Sequence, residues 1–527
     1  VAKFRKSAFA SFLGATSIAL TLPAASDAAT PVRLDRSVVA LSPAVQVLGD
    51  ADPDAILHFH LALQPRATGE LAARAASGDR SNATELRQHF FPTQADYDSV
   101  LTWAHSAGLT IDRTSPTHLV AEVSGKARTV SAALGVQLRT VRSEGQVYVT
   151  AVSAPSVPAE LSAVLTGVNG LQPHLHYHAF HIRSQRTQAN AGFTPAGIAV
   201  AYAANKLSQT GAGTTTAIII DAFPNTSDLN TYWQDFGVSQ SLSNITFIQA
   251  SLGTVPAPSG EESIDTELSS SLAPSSKVRV YATSTLSNAN VDNGYEAIIL
   301  DATNGVAIDQ VSISLGECEA NISQSQALTD LYYHEILASL GATVLVATGD
   351  SGSHECGANS GNIPSFDSTS PYVTAVGGTT LKLTNAGKAT ETAWSDSGGG
   401  LSGLFVKPSY QSSLNLSARG VPDVAAVGDP NTGVAIVLNG KIVVYGGTSV
   451  ATPIWAGLMA LVNQARLTAG ESTLGFLNPL IYPDLGTANF RDIKSGSNGG
   501  YSAKSGYDLV TGIGTPLMNK LLPTLSK

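Results

Sequence analysis

Charge is what this sequence has least of: Asp, Glu, Lys and Arg make up 13% of its 527 residues, against about a quarter of an average soluble domain. Basic residues are the scarcer kind, 30 Lys+Arg to 40 Asp+Glu for a net charge of −10. Without a cationic face there is nothing to neutralise a phosphate backbone, so nucleic acid is not an expected partner. Beyond the N-terminal region no stretch reaches about 18 uninterrupted apolar residues, so no membrane span is expected. Low-complexity tracts are missing, and nothing repeats with a period of about 20–50 residues, which argues against a solenoid. Histidine thins out abruptly: of 11 in the chain, only His334 and His354 lie beyond His181.

What is present is enough chain for two to four domains at roughly 100–200 residues each. Its start reads as a targeting segment. Lys3, Arg5 and Lys6 precede an apolar run from Ala8 to about Leu22, and small residues then crowd Ala24 to Ala29. That is the pattern of a cleaved secretory signal, expected over residues 1–29, and it predicts a secreted, extracellular protein. Export would place Cys318 and Cys356, the only two cysteines, where disulfides persist. One bridge is the simplest pairing; two buried free thiols are the alternative, since two cysteines define no framework.

The pattern changes near residue 190. Before it, strands are expected at Ile56–Leu63, His118–Val123 and Gln137–Val149, with helices at Gly69–Ala76, Gln94–Ser106 and Ala127–Leu134. Alternation such as Leu119, Ala121, Val123 marks strands, and Val130 with Leu134 fits a helical face. These elements make a small α+β unit with a ferredoxin-like arrangement, residues 30–171. The polar stretch 172–192, with His174, His176, His178 and His181, reads as a linker; its histidines could form a metal site, though a solvated strand is the plainer expectation. Beyond it, Thr216–Asp221, Val306–Ser314 and Thr343–Ala347 are continuous apolar strands, each bounded by turn residues. Strands apolar on both faces belong to a parallel sheet covered by helices, giving an α/β domain over residues 193–527.

Four positions in that domain carry chemistry. Gly446-Gly447-Thr448-Ser449 runs into the apolar helix Ile454–Val462, and Pro453 is expected in its first turn, so Ser449 sits at a helix N-terminus. An N-capping serine is the bland alternative. A serine nucleophile needs a base, and neither late histidine offers one: His334 reads as half-exposed and structural, and His354 has no partner motif. Glu261 and Asp265, four apart at the start of a helix-like segment, would share a face and a proton, unless they merely complement the helix dipole. Asp350 stands in a glycine-rich loop after a buried strand, where ligands bind in such sheets. A carboxyl in an apolar site can stay protonated and donate to an oxyanion; an ordinary turn aspartate is the alternative.

In these motifs and their order the chain resembles the sedolisins, the serine-carboxyl peptidases that include kumamolisin-like enzymes. The resemblance rests on Glu261-x-x-x-Asp265 followed by Leu272-Ala-Pro274, Ser312-Ile-Ser-Leu-Gly316, Gly349-Asp350-Ser351-Gly352, Ser370-Pro-Tyr-Val373, Pro422-Asp423-Val424-Ala425 and Gly447-Thr448-Ser449. It implies a subtilisin-like parallel sheet flanked by helices, behind a propeptide. It further implies Ser449 as nucleophile, Glu261 as general base, Asp265 as the carboxyl orienting it and Asp350 as oxyanion donor. Ser314, Leu315 and Gly316 would offer backbone to substrate, and Cys318 would pair with Cys356. One structural Ca²⁺ is implied, on the carboxylates of Asp492 and Asp508 and the carbonyls of Ile493, Lys504 and Gly506, with Lys504 standing where relatives often have glycine. The enzyme so implied is a monomeric, acid-active endopeptidase, made as a zymogen that cuts itself between Leu171 and Phe193; its partners are protein or peptide substrates and its own propeptide.

Two rival readings differ in what they need. A subtilisin-like Ser-His-Asp protease would use Asp221 at the end of the first apolar strand, but needs a histidine in a His-Gly-Thr context downstream of it, and there is none. A non-catalytic exported binding module would be expected to have lost one of the four site residues, and all four are present.

Overall fold

The computed structural model describes residues 30–184 and 192–527, so the expected signal segment and the end of the linker lie outside the described residues. The N-terminal unit is built from β1 (Ile56–Leu63), α1 (Thr68–Ser77), α2 (Gln94–Ser106), β2 (Thr110–Thr114), β3 (Val120–Lys126), α3 (Ala127–Leu134) and β4 (Leu165–Asn169). Its strands form an antiparallel sheet in the order β2-β3-β1-β4, the ferredoxin-like topology. Phe59 and Leu61 of β1 pack with Val100 of α2 and Val130 and Leu134 of α3. Ala62 and Val120 point the other way and join a cluster with Tyr295 and Ile298 of the C-terminal domain, so the sheet is covered on both faces.

Three expectations here need correction. The single strand expected over Gln137–Val149 is a hairpin, Leu138–Ser143 and Gln146–Ala151. It reverses at Glu144 and Gly145, both at positive φ (51° and 80°), a turn that a run of strand-forming residues on each side conceals. The strand expected at His118 begins instead at Val120, because His118 itself adopts φ 60°. His334 is fully buried, not half-exposed, with its two ring nitrogens 3.0 Å from Ser370 Oγ and Tyr295 Oη.

The C-terminal domain contains β5 (Thr215–Ile220), β6 (Ile245–Gln249), α4 (Glu261–Leu272), β7 (Lys277–Ala282), α5 (Asn288–Thr303), β8 (Gln310–Ile313), α6 (Gln324–Leu340), β9 (Thr343–Ala347), β10 (Thr374–Leu383), β11 (Ala389–Ala393), β12 (Val424–Val427), β13 (Val434–Leu438), β14 (Lys441–Gly446) and α7 (Thr448–Ala469). Its main sheet runs β6-β7-β5-β8-β9-β10, all parallel, with β12 parallel and β11 antiparallel on β10. Along β9 the side chains alternate between two cores, Val344 and Val346 on one face and Leu345 on the other. That two-sided burial is why the strand is apolar throughout. Helices α4 and α7 share the second face, where Ile264 and Leu268 meet Trp455 and Met459. Among the described residues no helix is long and apolar enough to cross a membrane.

Candidate active site

The N-termini of α4 and α7 and the ends of β8 and β9 converge on one cleft. Ser449 is the second residue of α7, after Gly447 at φ 117°, ψ 162°. A Cβ at Gly447 would collide with the Phe180 carbonyl oxygen and come within 2.6 Å of Asp350 Oδ2 and 2.9 Å of His181 Cα, so only glycine fits this approach. Pro453 is the sixth residue of the helix, not in its first turn. It has no N–H for the Ser449 carbonyl; the Ser314 hydroxyl lies 3.4 Å from that oxygen instead. Ser449 Oγ donates to the Ser314 carbonyl at 3.1 Å.

Glu261 and Asp265 are wholly buried in the first turns of α4. Asp265 Oδ1 accepts from Ser314 Oγ at 2.6 Å. Among the described residues Glu261 Oε1 and Asp265 Oδ2 have no hydrogen-bond partner. Burial, reinforced by the Glu261 charge, pushes the Asp265 carboxyl well above the usual carboxylate range. Asp350 is held by Thr448, whose N–H and hydroxyl both donate to Oδ1, at 2.7 and 3.0 Å. Its Oδ2 is buried without a hydrogen-bond partner among the described residues. Burial pushes this carboxyl strongly up as well, against the Thr448 donors that favour its charged form.

Sequence reading allowed a leader in the cleft but missed which segment fills it. The linker is not a solvated strand but runs through it as two short strands. His178 and Ala179 pair antiparallel with Gly316 and Leu315, and Ile182 and Arg183 pair with Gly446 and Tyr445 of β14. Between them, Phe180 N–H donates to the Ser314 carbonyl (3.2 Å), and the Phe180 carbonyl accepts from Ser449 N–H (3.0 Å). The Phe180 ring lies against Gly316, where a Cβ would come within 2.7 Å of its Cζ. His181 Nδ1 sits 2.6 Å from Glu261 Oε2. Burial alone would lower this imidazole, but the hydrogen bond to Glu261 and that carboxylate's charge raise it. Glu261 therefore bonds to the linker and not to Ser449. Apolar and polar residues alternate over Tyr177–Ala179, but the alternation breaks at Phe180, so the segment carries no clear strand pattern.

Glu355 was also missed: its Oε1 accepts from Ser351 N–H at 2.8 Å, burial raises its carboxyl to about 8, and its charge contributes to raising Asp350. Cys318 and Cys356 form a disulfide with Cα atoms 4.8 Å apart, tying the strand that pairs with the linker to the loop following Asp350. Asp221, the aspartate of the subtilisin alternative, is half-buried at the end of β5, and its carboxyl is raised by burial and by Glu261.

Far along the chain, Asp492 and Asp508 converge on one turn. Gly506 N–H donates to both oxygens of Asp492 (3.2 and 3.3 Å), and Lys504 N–H donates to Asp508 Oδ2 at 3.0 Å. Asp508 Oδ1 takes three further donors, from Val510 and Thr511. Asp508 Oδ2 and Asp492 Oδ1 each accept a single hydrogen bond, leaving lone pairs for a hard cation. The donor set therefore fits Ca²⁺.

Comparison with known proteins agrees with this geometry. Residues 43–173 match the pro-kumamolisin activation domain and residues 185–475 the subtilase family. The chain is 33% identical over 473 residues to kumamolisin of Bacillus sp. (strain MN-32), covering 82% of this chain and 84% of that one. It is 27% identical over 478 residues to sedolisin of Pseudomonas sp. (strain 101), covering 83% and 80%. Among solved structures, Pseudomonas sedolisin, a serine-carboxyl proteinase complexed with two molecules of pseudo-iodotyrostatin, aligns with a TM-score of 0.58 at 29% identity over 63% of this chain and 98% of that one. With its activation domain, its subtilisin-type α/β fold and these relatives, the chain belongs to the sedolisin family of serine-type peptidases, on the kumamolisin side.

Proposed function

We propose that the protein is an exported, acid-active serine-carboxyl endopeptidase whose first substrate is its own linker, cut between Phe180 and His181. The observation that carries this is the Phe180 carbonyl, which accepts from Ser449 N–H and lies beside Asp350 Oδ2. Those are the donors a developing oxyanion needs. Ser449 Oγ attacks that carbon while Glu261, oriented by Asp265, takes its proton. The tetrahedral intermediate collapses as Glu261 returns the proton to the His181 nitrogen, and water then releases the acyl group from Ser449 by the same route. Before it can act, Glu261 must exchange His181 for Ser449. Chain is paired on both sides of the bond, at 178–179 and 182–183, so the cleft is open at both ends, which supports internal cleavage. The Phe180 ring on Gly316 favours a large apolar residue on the acyl side.

Acidifying the purified precursor and sequencing the earliest product tests this: His181 is the expected new N-terminus. A chain that stays intact, or whose first cut leaves an N-terminus other than His181, overturns the reading.

The Asp492/Asp508 site belongs to the same proposal as a structural Ca²⁺ site, with the carbonyls of Ile493, Lys504 and Gly506 completing it. The ion would supply charge to a turn remote in sequence from Glu261 and Asp350, so its role is stability. Chelation should lower the melting temperature by roughly 4 °C, the effect of losing about 2.7 kcal/mol of ligand linkage from a domain of this size. Turnover at low temperature should be unchanged; an unmoved melting temperature would remove the ion from the account.

A further inference from the structure

The linker holds a second group of side chains that peptide hydrolysis does not use. His176 and His178 are two apart on an extended segment, hence on one face, with ring centroids 4.6 Å apart. Glu144, at the tip of the hairpin in the N-terminal unit, reaches the same place: its Oε2 is 3.8 Å from His176 Nε2. One ligand atom each from Glu144, His176 and His178 lie within 4.8 Å of one another. On the peptidase side, Glu317 Oε2 is 3.5 Å from His178 Nε2. Its other oxygen is fixed by Cys318 N–H (2.9 Å) and Asn321 Nδ2 (2.7 Å), so the carboxylate faces the linker. Among the described residues neither glutamate has a Lys or Arg within ion-pairing distance; their only ion-pair partners are these two histidines.

We propose that Glu144, His176, His178 and Glu317 bind one zinc-class divalent cation that ties the activation domain and the linker to the peptidase. Two imidazole nitrogens with two carboxylate oxygens are the donors such ions take in four-coordinate sites. Ligand atoms around tetrahedral zinc stand roughly 3.3 Å apart for bonds of about 2.0–2.1 Å. Glu144, His176 and His178 already lie within 4.8 Å of one another, and Glu317 would join them through its contact with His178. The four residues come from three parts of the chain: the hairpin, the linker just before Phe180, and the strand Leu315–Cys318 with which that linker pairs. The cation adds its binding free energy to the docked leader only. Once the linker is cut, three of the four ligands leave with the leader, and the site no longer exists on the mature enzyme. The binding stands apart from the assignment of the cleavage bond; the loss of the site on maturation rests on it.

The test uses full-length Ser449→Ala precursor at neutral pH, in excess Ca²⁺ to fill hard oxygen sites. Zn²⁺ titration by calorimetry should give one ion per chain. Co²⁺ should give the visible absorption of a four-coordinate N/O site, and Zn²⁺ should raise the melting temperature. Binding should fall at least tenfold in Glu144→Gln, whose exposed side chain carries no folding role, and vanish in the His176→Ala/His178→Ala pair and in mature enzyme. No binding tighter than about 100 μM, undiminished binding in the double variant, or equal binding by mature enzyme would each overturn the proposal.

Discussion

Ser449→Ala should leave a full-length precursor that neither cuts its linker nor hydrolyses added peptide, a loss of several orders of magnitude, as when a serine nucleophile is removed elsewhere. The fold should survive, because among the described residues the only hydrogen bond of Ser449 Oγ is to the Ser314 carbonyl. Glu261→Gln should fail almost as badly, since an amide cannot take the serine proton. This second variant matters because of the 2.6 Å contact between His181 and Glu261. A histidine is thus present in the cleft after all, and it could be mistaken for the base. Its place on the leaving side of the proposed bond argues against that role: after the first cut it is no longer tethered to the acyl group. If His181→Ala abolished hydrolysis of added peptide by mature enzyme while Glu261→Gln spared it, the carboxylate mechanism would fall.

At Asp350 the informative comparison is between two variants. Asp350→Ala removes the donor beside the Phe180 carbonyl and should cost about 10²–10³-fold in turnover, the usual effect of deleting one oxyanion-hole donor. Asp350→Asn keeps an oxygen to accept from Thr448 and puts an amide where Oδ2 stood, so it should lose less. The sign of the pH effect follows from burial: the folded carboxyl is raised, so its proton is present in acid and is lost as pH rises through that raised value. Wild-type activity should therefore decline once pH passes that raised value, whereas the Asn variant, which cannot titrate there, should retain its lower rate further up. Measured as kcat against pH, identical profiles and rates for wild type and Asp350→Asn would make Asp350 a turn residue.

Much of the fold could be read from local pattern, and what could not has identifiable causes. Helices Gln94–Ser106 and Ala127–Leu134 and strand Thr343–Ala347 occur with the expected bounds, because caps, turn residues and burial on a fixed face all act within a few residues. The hairpin at Glu144 was hidden because its turn has one glycine and no proline or asparagine. Ser449, Glu261, Asp265 and Asp350 could be singled out as residue types at telling positions, and they do meet in one cleft. That a leader can occupy the cleft was readable, but not which residues do so. Strand addition by residues 178–183 uses backbone groups, which every residue carries, and its register is set by surfaces more than a hundred residues away. Nor does composition reveal that Glu144 and Glu317 would face the same pair of histidines.

Threading the linker through the cleft has a kinetic meaning. A tethered segment meets its binding groove at an effective concentration in the millimolar range for short flexible connections, and this one is anchored on both sides of the reacting bond. An external peptide at micromolar concentration and equal affinity would be outcompeted about a thousandfold, so the precursor should be silent toward other proteins without any separate inhibitor. The first cut is unimolecular, and its rate should not depend on precursor concentration. It also halves the anchorage at a stroke. Competition would then change from intramolecular to ordinary dilution, and the enzyme should turn on as a step, set by how far the released leader can diffuse away.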